Sequence, residues 1–355
     1  MMQFLSPNDP RFMAETDALS IQNAINAAEN GPIRTVCIPR VCARTGNAEW
    51  LIDESILLPS NITVILADAH LILKKDVYAN IFRNKNMYTD ISLKPEGKQT
   101  NIRIVGIDLR VGCSNIYINN ITGRCGDDVV ALSAFAASKE REQFLVEGMK
   151  PDIHDVTIRN VCAHTHYSLV ALRNTDGAKI YRILIENIRD SGGEYGPINI
   201  VRIGENLYYR ERTSILGETY DIRVRGVYSS TLCTVMLGGA LKDSRISDIY
   251  AGGTSMSAVS TWSINRYHEG QKLFAWGGAT LENVVFDNIH YNGSAGHCDA
   301  EWMNEPGTPY CGCALDFRRM REEDSFKNVV FRDIFAREGA ELCIACDRVT
   351  PDIRN

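Results

Sequence analysis

Two adjacent carboxylates, Asp127 and Asp128, follow a glycine and precede an apolar run that begins at Val129. Placing two like charges side by side is unfavourable, because each negative charge raises the pKa of the neighbouring carboxyl group. A polar turn is more often built from asparagine, glycine or a single aspartate. The pair is therefore the first candidate for chemistry, with a turn or a ladder of stacked polar side chains as its structural alternative.

The chain around this pair repeats a short apolar pattern. Three apolar residues are spaced as apolar-x-apolar-x-x-apolar, usually with asparagine or aspartate just before the last one. Each unit has one apolar face that it cannot bury alone, so the units must stack on one another. The spacing suits coils of roughly 20–30 residues with insertions. Copies begin at Ile102, Ile116, Val156, Ile183, Ile222, Val284 and Val329, with a weaker copy around Ile246.

Helical periodicity is essentially missing after residue 30. The sequence therefore predicts an all-β fold, a single-stranded right-handed parallel β-helix (a solenoid). We expect one domain over residues 1–355, with the best-defined coils at 101–355.

The segment before the repeats predicts a short helix over 16–30, with Thr16 and Asp17 as N-cap candidates. Short strands follow, with Pro59 and Asn61 between two of them. This order resembles the opening of pectin-lyase-like β-helix proteins. The resemblance implies that the helix caps one end of the coil.

The composition argues against several classes of function. The net charge of −6 gives no electrostatic reason to bind nucleic acid or an anionic membrane. No apolar stretch reaches the about 18–20 residues of a membrane span. The first residues lack the basic start and apolar core of a signal peptide. The sequence thus predicts a cytoplasmic protein, or a secreted one if a leader has been removed.

Loops on a rigid scaffold carry most binding residues, so the longest insertions are where we expect function. Planar rings on such loops suit stacking on sugars, although core packing explains each ring alone equally well. The insertions lie at 133–150, 191–219, 254–280 and 292–326. The candidate substrate-binding aromatic residues are Tyr208, Trp262 and Trp276.

The acid pair and its surroundings resemble glycoside hydrolase family 28, the polygalacturonase family. The likeness is carried by Gly-Ile-Asp at 106–108, Asn-Ile-Tyr-Ile-Asn-Asn-Ile at 115–121 and Gly-Asp-Asp-Val-Val-Ala-Leu at 126–132. The resemblance implies that Asp127 and Asp128 match the family's Gly-Asp-Asp acid pair.

Two further family motifs are matched in part. The stretch 162–172 occupies the place of Gly-His-Gly, which makes His166 the implied match and His164 the alternative. Arg202 matches the arginine of Arg-Ile-Lys, whereas Gly204 replaces its lysine.

The family's Asn-Thr-Asp motif is lost. Val105 stands where the resemblance places the first catalytic aspartate, and Asp108 is the nearest retained acid.

The resemblance implies hydrolysis with inversion, in which a protonated acid and a water-activating carboxylate stand about 6.5–9.5 Å apart. Asp127 is then the general acid, while Asp128, together with Asp108, orients the water. His166 would hydrogen-bond the acid or a sugar hydroxyl, and Arg202 would hold an acidic or hydroxylated substrate group. An ordinary structural role is the alternative for both His166 and Arg202.

The predicted function is hydrolysis of a glycosidic bond in a poly- or oligosaccharide, with or without uronic acid. Carbohydrate is the expected partner, and no cofactor or metal is expected. The sequence leaves the sugar, endo or exo attack and the oligomeric state open.

Two other functions stay open. Polysaccharide lyases and epimerases of similar fold usually bind calcium through several acids and use an arginine or lysine base. The sequence shows no three-acid cluster on adjacent coils. A catalytically inactive glycan-binding β-helix, such as a fibre or tailspike module, fits the replacements at Val105 and Gly204.

The chain contains 11 cysteines, and an odd number without a signal peptide favours free thiols. One group near the C-terminus offers zinc ligation or a disulfide as alternatives. Small thiols also pack as ordinary apolar side chains inside a tight coil, which is the interpretation we favour. The members of the group are His297, Cys298, Cys311, Cys313, Cys343 and Cys346.

Overall fold

In the part of the chain that the structure describes, one α-helix is followed by 25 strands. These strands pair in parallel, apart from one short antiparallel pair. The computed structural model describes residues 3–67, 69–77, 81–85, 108–124, 128–135, 148–165, 167–175, 177–192, 197–204, 214–230, 233–263, 276–294, 312–318, 320–347 and 349–354.

The N-terminal helix α1 (Asp17–Asn30) forms where the sequence predicts it. Its N-cap is Thr16, whose Oγ1 accepts a hydrogen bond from the backbone N–H of Leu19 at 3.2 Å. Such a cap satisfies one of the backbone donors that a helix start leaves unpaired.

Two polar side chains of α1 bind the backbone of the strands beside it. The Asp17 carboxylate accepts a hydrogen bond from the Leu51 N–H at 2.8 Å. The Gln22 Oε1 accepts one from the Leu57 N–H at 2.7 Å. The helix therefore caps this end of the coil by satisfying backbone donors that would otherwise remain unpaired.

The first coils have three sides, because three successive strands pair in parallel with the next three. Together with α1 they enclose a first apolar core around Trp50. The strands are β1 (Thr35–Pro39), β2 (Glu49–Ile52), β3 (Ile56–Leu58), β4 (Thr63–Ala67), β5 (His70–Leu73) and β6 (Phe82–Asn84).

After residue 107, the coils share two long parallel sheets. The first, called here the long-strand sheet, has one solvated face. Its strands, in spatial order, are β8 (Ser114–Arg124), β10 (Ile153–His164), β12 (Ile180–Asp190), β14 (Thr219–Ser229), β16 (Gly239–Ala251), β20 (Ala279–Tyr291), β23 (Val330–Ala336) and β25 (Ile353–Arg354), with β22 (Phe326–Lys327) also paired to β20.

Two columns of left-handed residues bend every long strand at the same places, with φ between 47° and 68°. Asparagine and aspartate tolerate this region better than other residues with a side chain. The second column is the position just before the last apolar residue of the repeated pattern, and it holds asparagine or aspartate in every coil except that of Gly226. The first column is Asn115, Asp155, Arg182, Asp221, Asp243, Asn283 and Asn328. The second is Asn120, Asn160, Asn187, Gly226, Asp248, Asn288 and Asp333.

The second sheet, called here the short-strand sheet, is buried on both faces over much of its area. A short hairpin, β18 (Trp262–Ser263) and β19 (Trp276–Gly277), lies outside it in the pairing. The strands in spatial order are β7 (Asp108–Arg110), β9 (Val130–Phe135), β11 (Ser168–Thr175), β13 (Asn199–Ile203), β15 (Cys233–Leu237), β17 (Ser257–Ser260), β21 (Cys313–Phe317) and β24 (Glu341–Ala345).

The sequence prediction was wrong about the insertions, because much of the short-strand sheet lies within them. The segment 191–219 contains β13, 254–280 contains β17, and 292–326 contains β21. Strands buried on both faces lack the alternation that marks a half-buried strand, so the repeated pattern does not include them. The inward faces of both sheets enclose one continuous core from Leu109 to Ile334. The fold is an all-β parallel β-helix.

Candidate functional site

The outer face of the short-strand sheet collects several residues that the sequence singles out. In β11, Val170 and Leu172 belong to the core cluster, so Ala171 between them faces outward. The pairing register places one such position of every strand in a single row, called here the outward row. Its members are Asp108, Ala131, Ala171, Arg202, Met236, Ser260, Asp316 and Ile344.

Two alanines separate an acid position from a guanidinium in this row. Asp108 lies in β7 and Arg202 in β13, with Ala131 and Ala171 between them. Because neighbouring strands lie about 4.8 Å apart, the backbones at 108 and 202 are separated by about 14 Å. Ala131 and Ala171 are themselves buried, at 6% and 0% exposure.

Asp128 lies two residues before the start of β9 and is half-buried. Its Oδ1 accepts a hydrogen bond from the Ser168 N–H of the next coil at 2.8 Å. The carboxylate therefore links the starts of β9 and β11, as the structural alternative for the acid pair expects. A carboxylate has further lone pairs, so this bond does not use up its accepting capacity.

Arg202 is only 7% exposed, although it faces outward from the sheet. A substrate group that reaches this guanidinium must therefore enter a largely enclosed space. A charge-assisted hydrogen bond in such surroundings is stronger than one in water.

His164 lies elsewhere, at the C-terminal end of β10 in the long-strand sheet. It is buried, and its Nδ1 is 3.1 Å from the carbonyl oxygen of Gly192. With the proton on Nδ1, the ring donates to that carbonyl and fixes the turn of the next coil.

Several predicted site residues lie wholly or partly outside the described residues. Asp127, His166 and Tyr208 lie outside them altogether. For Asp108 and Trp276, the strand position is described and the side chain is not. Their proposed roles stay predictions.

The expectation that Trp262 offers an exposed ring on a loop is wrong. Trp262 belongs to β18 and is 2% exposed. The guanidinium of Arg318 lies 5.7 Å from the centroid of its ring. The ring packs beside this cation and presents no free face for a sugar to stack on.

The lysine that the family resemblance implies after Arg202-Ile203 has no room in this fold. Gly204 has φ +97°, and a Cβ at this position would lie 1.5 Å from the carbonyl oxygen of Gly238. The Gly204 N–H donates to Leu172 O at 2.7 Å, which holds the backbone in this close approach. The backbone conformation of this turn therefore requires glycine and excludes the lysine.

Sequence reasoning missed the polar groups at the far end of the outward row. Asp316 is 0% exposed and binds Arg318 through two hydrogen bonds, at 2.9 and 2.8 Å. Elsewhere in the same sheet, Ser133 of β9 and Thr234 of β15 are buried, and their hydroxyl oxygens have no hydrogen-bond partner among the described residues. No periodic signal marks these positions, because their strands are buried on both sides.

The described residues contain no group of three or more His, Cys, Asp or Glu that could hold a metal ion. The described members of the C-terminal cysteine group, Cys313, Cys343 and Cys346, are not joined in a disulfide. Burial raises the pKa of the Cys343 thiol to about 12, which opposes formation of the thiolate that zinc requires. His297, Cys298 and Cys311 lie outside the described residues.

Fold and site together define a parallel β-helix protein that buries an arginine, Arg202, and an aspartate, Asp316, in one row of the short-strand sheet. No described helix is long and apolar enough to cross a membrane. No protein-family model matches the sequence, and no curated protein matches it. The chain is similar to the surface protein and adhesin PfbA of Streptococcus pneumoniae, at 12% identity and a TM-score of 0.37 over 99% of both chains. The fold assignment rests on the parallel strand registers.

Proposed function

We propose that the protein is a glycoside hydrolase whose active site lies on the outer face of the short-strand sheet. The observation that carries the proposal is the outward row, in which two alanines separate Asp108 from Arg202. An acid position and a guanidinium on either side of a small-residue floor suit a sugar that carries hydroxyl or acidic groups.

The order of the strands adds support. Asp108 lies on β7, Asp128 lies two residues before β9, and Arg202 lies on β13, while the predicted His166 comes two residues before β11 in the chain. These four strands are consecutive neighbours in one sheet. These positions, far apart in the sequence, therefore belong to consecutive coils, which is compatible with one catalytic site.

In the proposed reaction, Asp127 gives its proton to the oxygen of the departing sugar. Asp128, together with Asp108, accepts a proton from the water that attacks the anomeric carbon. The bond between that carbon and the leaving oxygen breaks as the new carbon–oxygen bond forms, so the products are two sugars with inverted configuration at one of them. Arg202 holds an acidic or hydroxylated group of the bound sugar.

A glycan-binding β-helix without catalysis is the second candidate. Two observations favour it. Asp128 accepts a hydrogen bond from the backbone N–H of Ser168, and the backbone at Gly204 leaves no room for the lysine of the related motif. Both features have structural explanations that need no catalysis.

A panel of plant and microbial glycans distinguishes these candidates with the unaltered protein. The proposal expects new reducing ends without the ultraviolet absorbance of an unsaturated sugar. Growing absorbance would indicate elimination and a lyase. Binding of a glycan without any cleavage would indicate the non-catalytic candidate and contradict the proposal.

The role of Asp128 has its own test. Asp128→Asn keeps an oxygen that can accept the Ser168 N–H, so the fold should persist while the water-activating charge is lost. We expect turnover to fall by about a hundredfold or more, with an unchanged melting temperature. Asp352→Asn, at an exposed carboxylate near the C-terminus, is the matched control. Full activity in Asp128→Asn would leave only the structural role.

A further inference from the structure

A second row of outward positions crosses the short-strand sheet, two residues beyond the outward row on three of its strands. It contains Arg110 of β7, Ser133 of β9 and Arg173 of β11, which are register partners on neighbouring strands. We call it the Arg-Ser-Arg row. Two residues of extended strand cover about 6.6 Å, so this row lies beside the proposed active site, towards the carboxyl ends of the strands.

The side chains of the Arg-Ser-Arg row point away from the core. The residue before each member is a leucine of the core cluster, namely Leu109, Leu132 and Leu172. Successive residues of a strand face opposite sides of the sheet, so all three members face outward. Both arginines are half-buried, whereas Ser133 is only 1% exposed.

The hydroxyl of Ser133 is the feature that points to a ligand. Its oxygen is buried and has no hydrogen-bond partner among the described residues. A serine hydroxyl can donate one hydrogen bond and accept others, and a buried hydroxyl that makes none of them destabilises the fold. An alanine would fill the same space without this cost. A bound group that forms a hydrogen bond with Ser133 would remove the cost and explain the serine.

Two guanidinium groups flank this hydroxyl, one from each neighbouring strand. Adjacent strands lie about 4.8 Å apart, so the Cα atoms of Arg110 and Arg173 are about 9.6 Å apart, with Ser133 midway between them. Long side chains on both sides of a short one can reach a group that is bound over it. Each guanidinium has five N–H donors, so it can bind such a group in addition to its other contacts.

These donors suit an anion that presents oxygens on several sides. Guanidinium groups on opposite sides can each donate two parallel hydrogen bonds to an oxyanion, while the serine hydroxyl donates from the sheet beneath it. A sulfate or phosphate ester offers three terminal oxygens, one for each donor group, whereas a carboxylate offers two. A tetrahedral ester therefore matches the row better than a planar carboxylate does.

We propose that Arg110, Ser133 and Arg173 bind the sulfate or phosphate ester group of a ligand on the outer face of the short-strand sheet. Partial burial of the two arginines strengthens their hydrogen bonds to an anion. The net charge of −6 gives no long-range attraction for an anion, so recognition has to come from these short-range contacts. Binding of an anion at this row requires no hydrolase activity.

Isothermal titration calorimetry with inorganic sulfate, inorganic phosphate and acetate tests the proposal, in sodium chloride at constant ionic strength. We expect sulfate, phosphate or both to bind, and the tighter of the two identifies the kind of ester. Acetate should bind more weakly than that anion. Constant ionic strength keeps the screening of charges equal in all titrations.

Three variants connect the binding to the Arg-Ser-Arg row. Arg110→Gln and Arg173→Gln should each weaken binding by about tenfold or more, the effect of losing one charge-assisted hydrogen bond. Ser133→Ala should weaken binding by about threefold or more, the effect of losing one neutral hydrogen bond. Melting temperatures show whether each variant is folded. If an arginine variant does not fold, Ser133→Ala decides, because alanine fits the space of serine.

The control is Arg223→Gln, at an arginine of the long-strand sheet whose side chain is 73% exposed. It should bind the anion as the unaltered protein does. Four results would overturn the proposal: no binding of sulfate or phosphate, tighter binding of acetate than of both, unchanged binding in Ser133→Ala, or losses in the arginine variants no larger than that in Arg223→Gln.

The anion site and the proposed active site can fail separately. Anion binding by a protein that releases no reducing ends would support the Arg-Ser-Arg row and contradict the hydrolase. Release of reducing ends by a protein that binds neither sulfate nor phosphate would support the hydrolase and overturn the anion site.

Discussion

The outer faces of the two sheets differ in how far their polar side chains are exposed to solvent. On the long-strand sheet the outer residues are largely solvated, and their charges form shared ion pairs such as those of Glu186. On the short-strand sheet every residue of β13, β15 and β21 is buried, including Arg202 and Asp316. A charge in the first setting costs little, whereas one in the second setting must be paired to remain. A charged side chain on the enclosed face therefore requires a binding partner that offsets its cost of burial.

The largest expected effect comes from removing a buried charge on the short-strand sheet. Asp316→Ala removes the carboxylate that accepts two hydrogen bonds from the Arg318 side chain. We expect a loss of about 3–5 kcal/mol in the free energy of unfolding. Glu186→Ala, on the solvated face, should cost about 1 kcal/mol or less. Urea unfolding followed by circular dichroism measures both. Equal losses would remove the energetic contrast between the two faces.

The second comparison uses one glycine from each sheet. Gly204→Ala places a Cβ against Gly238 O in the short-strand sheet, so it should destabilise the protein by more than about 1 kcal/mol. Gly226 stands in the second left-handed column of the long-strand sheet, where the nearest atom to a Cβ is 3.5 Å away. Gly226→Asn should be neutral or stabilising by up to about 1 kcal/mol, because asparagine suits the ladder between Asn187 and Asp248.

Thermal unfolding of these two glycine variants gives the readout. A destabilised Gly226→Asn would show that the column does not accept asparagine at this coil. An unchanged Gly204→Ala would show that the turn can rearrange and that a lysine there is not excluded by the backbone.

The smallest effect concerns an exposed pair on the long-strand sheet. Hydrogen bonds from Arg182 lower the pKa of Asp155 from 3.8 to about 2. Because the folded pKa lies below the unfolded one, the stabilisation is present above about pH 4 and is lost as the pH falls towards about 2. Solvent screening limits it to about 1 kcal/mol or less. Asp155→Asn should flatten the curve of unfolding free energy against pH between about pH 4 and about 2. An unchanged slope in this variant would contradict the attribution of this pH dependence to the ion pair of Asp155 with Arg182.

The long-strand sheet could be predicted from the sequence, since its signals are local. Asparagine or aspartate before the last apolar residue marks the second left-handed column, and Thr16 marks the start of α1. The apolar positions of β10, such as Val156 and Ile158, alternate with solvated ones. These features depend on the conformation of single residues and on one buried face, which a sequence records directly.

The short-strand sheet could not be predicted in the same way. In β15, all five residues from Cys233 to Leu237 are buried, so nothing alternates. The outward row depends on register between coils, which no local pattern fixes. The motif resemblance still assigned Asp128 and Arg202 to this sheet, whereas it gave no sign of Asp316 or of the conformation of Gly204.

The most direct test of a catalytic face on the short-strand sheet is the release of reducing ends by Asp127→Asn beside the unaltered protein. We expect turnover to fall by about a hundredfold or more, with an unchanged melting temperature and with full activity in Asp352→Asn. Turnover of Asp127→Asn equal to that of the unaltered protein would contradict the assignment of the active site.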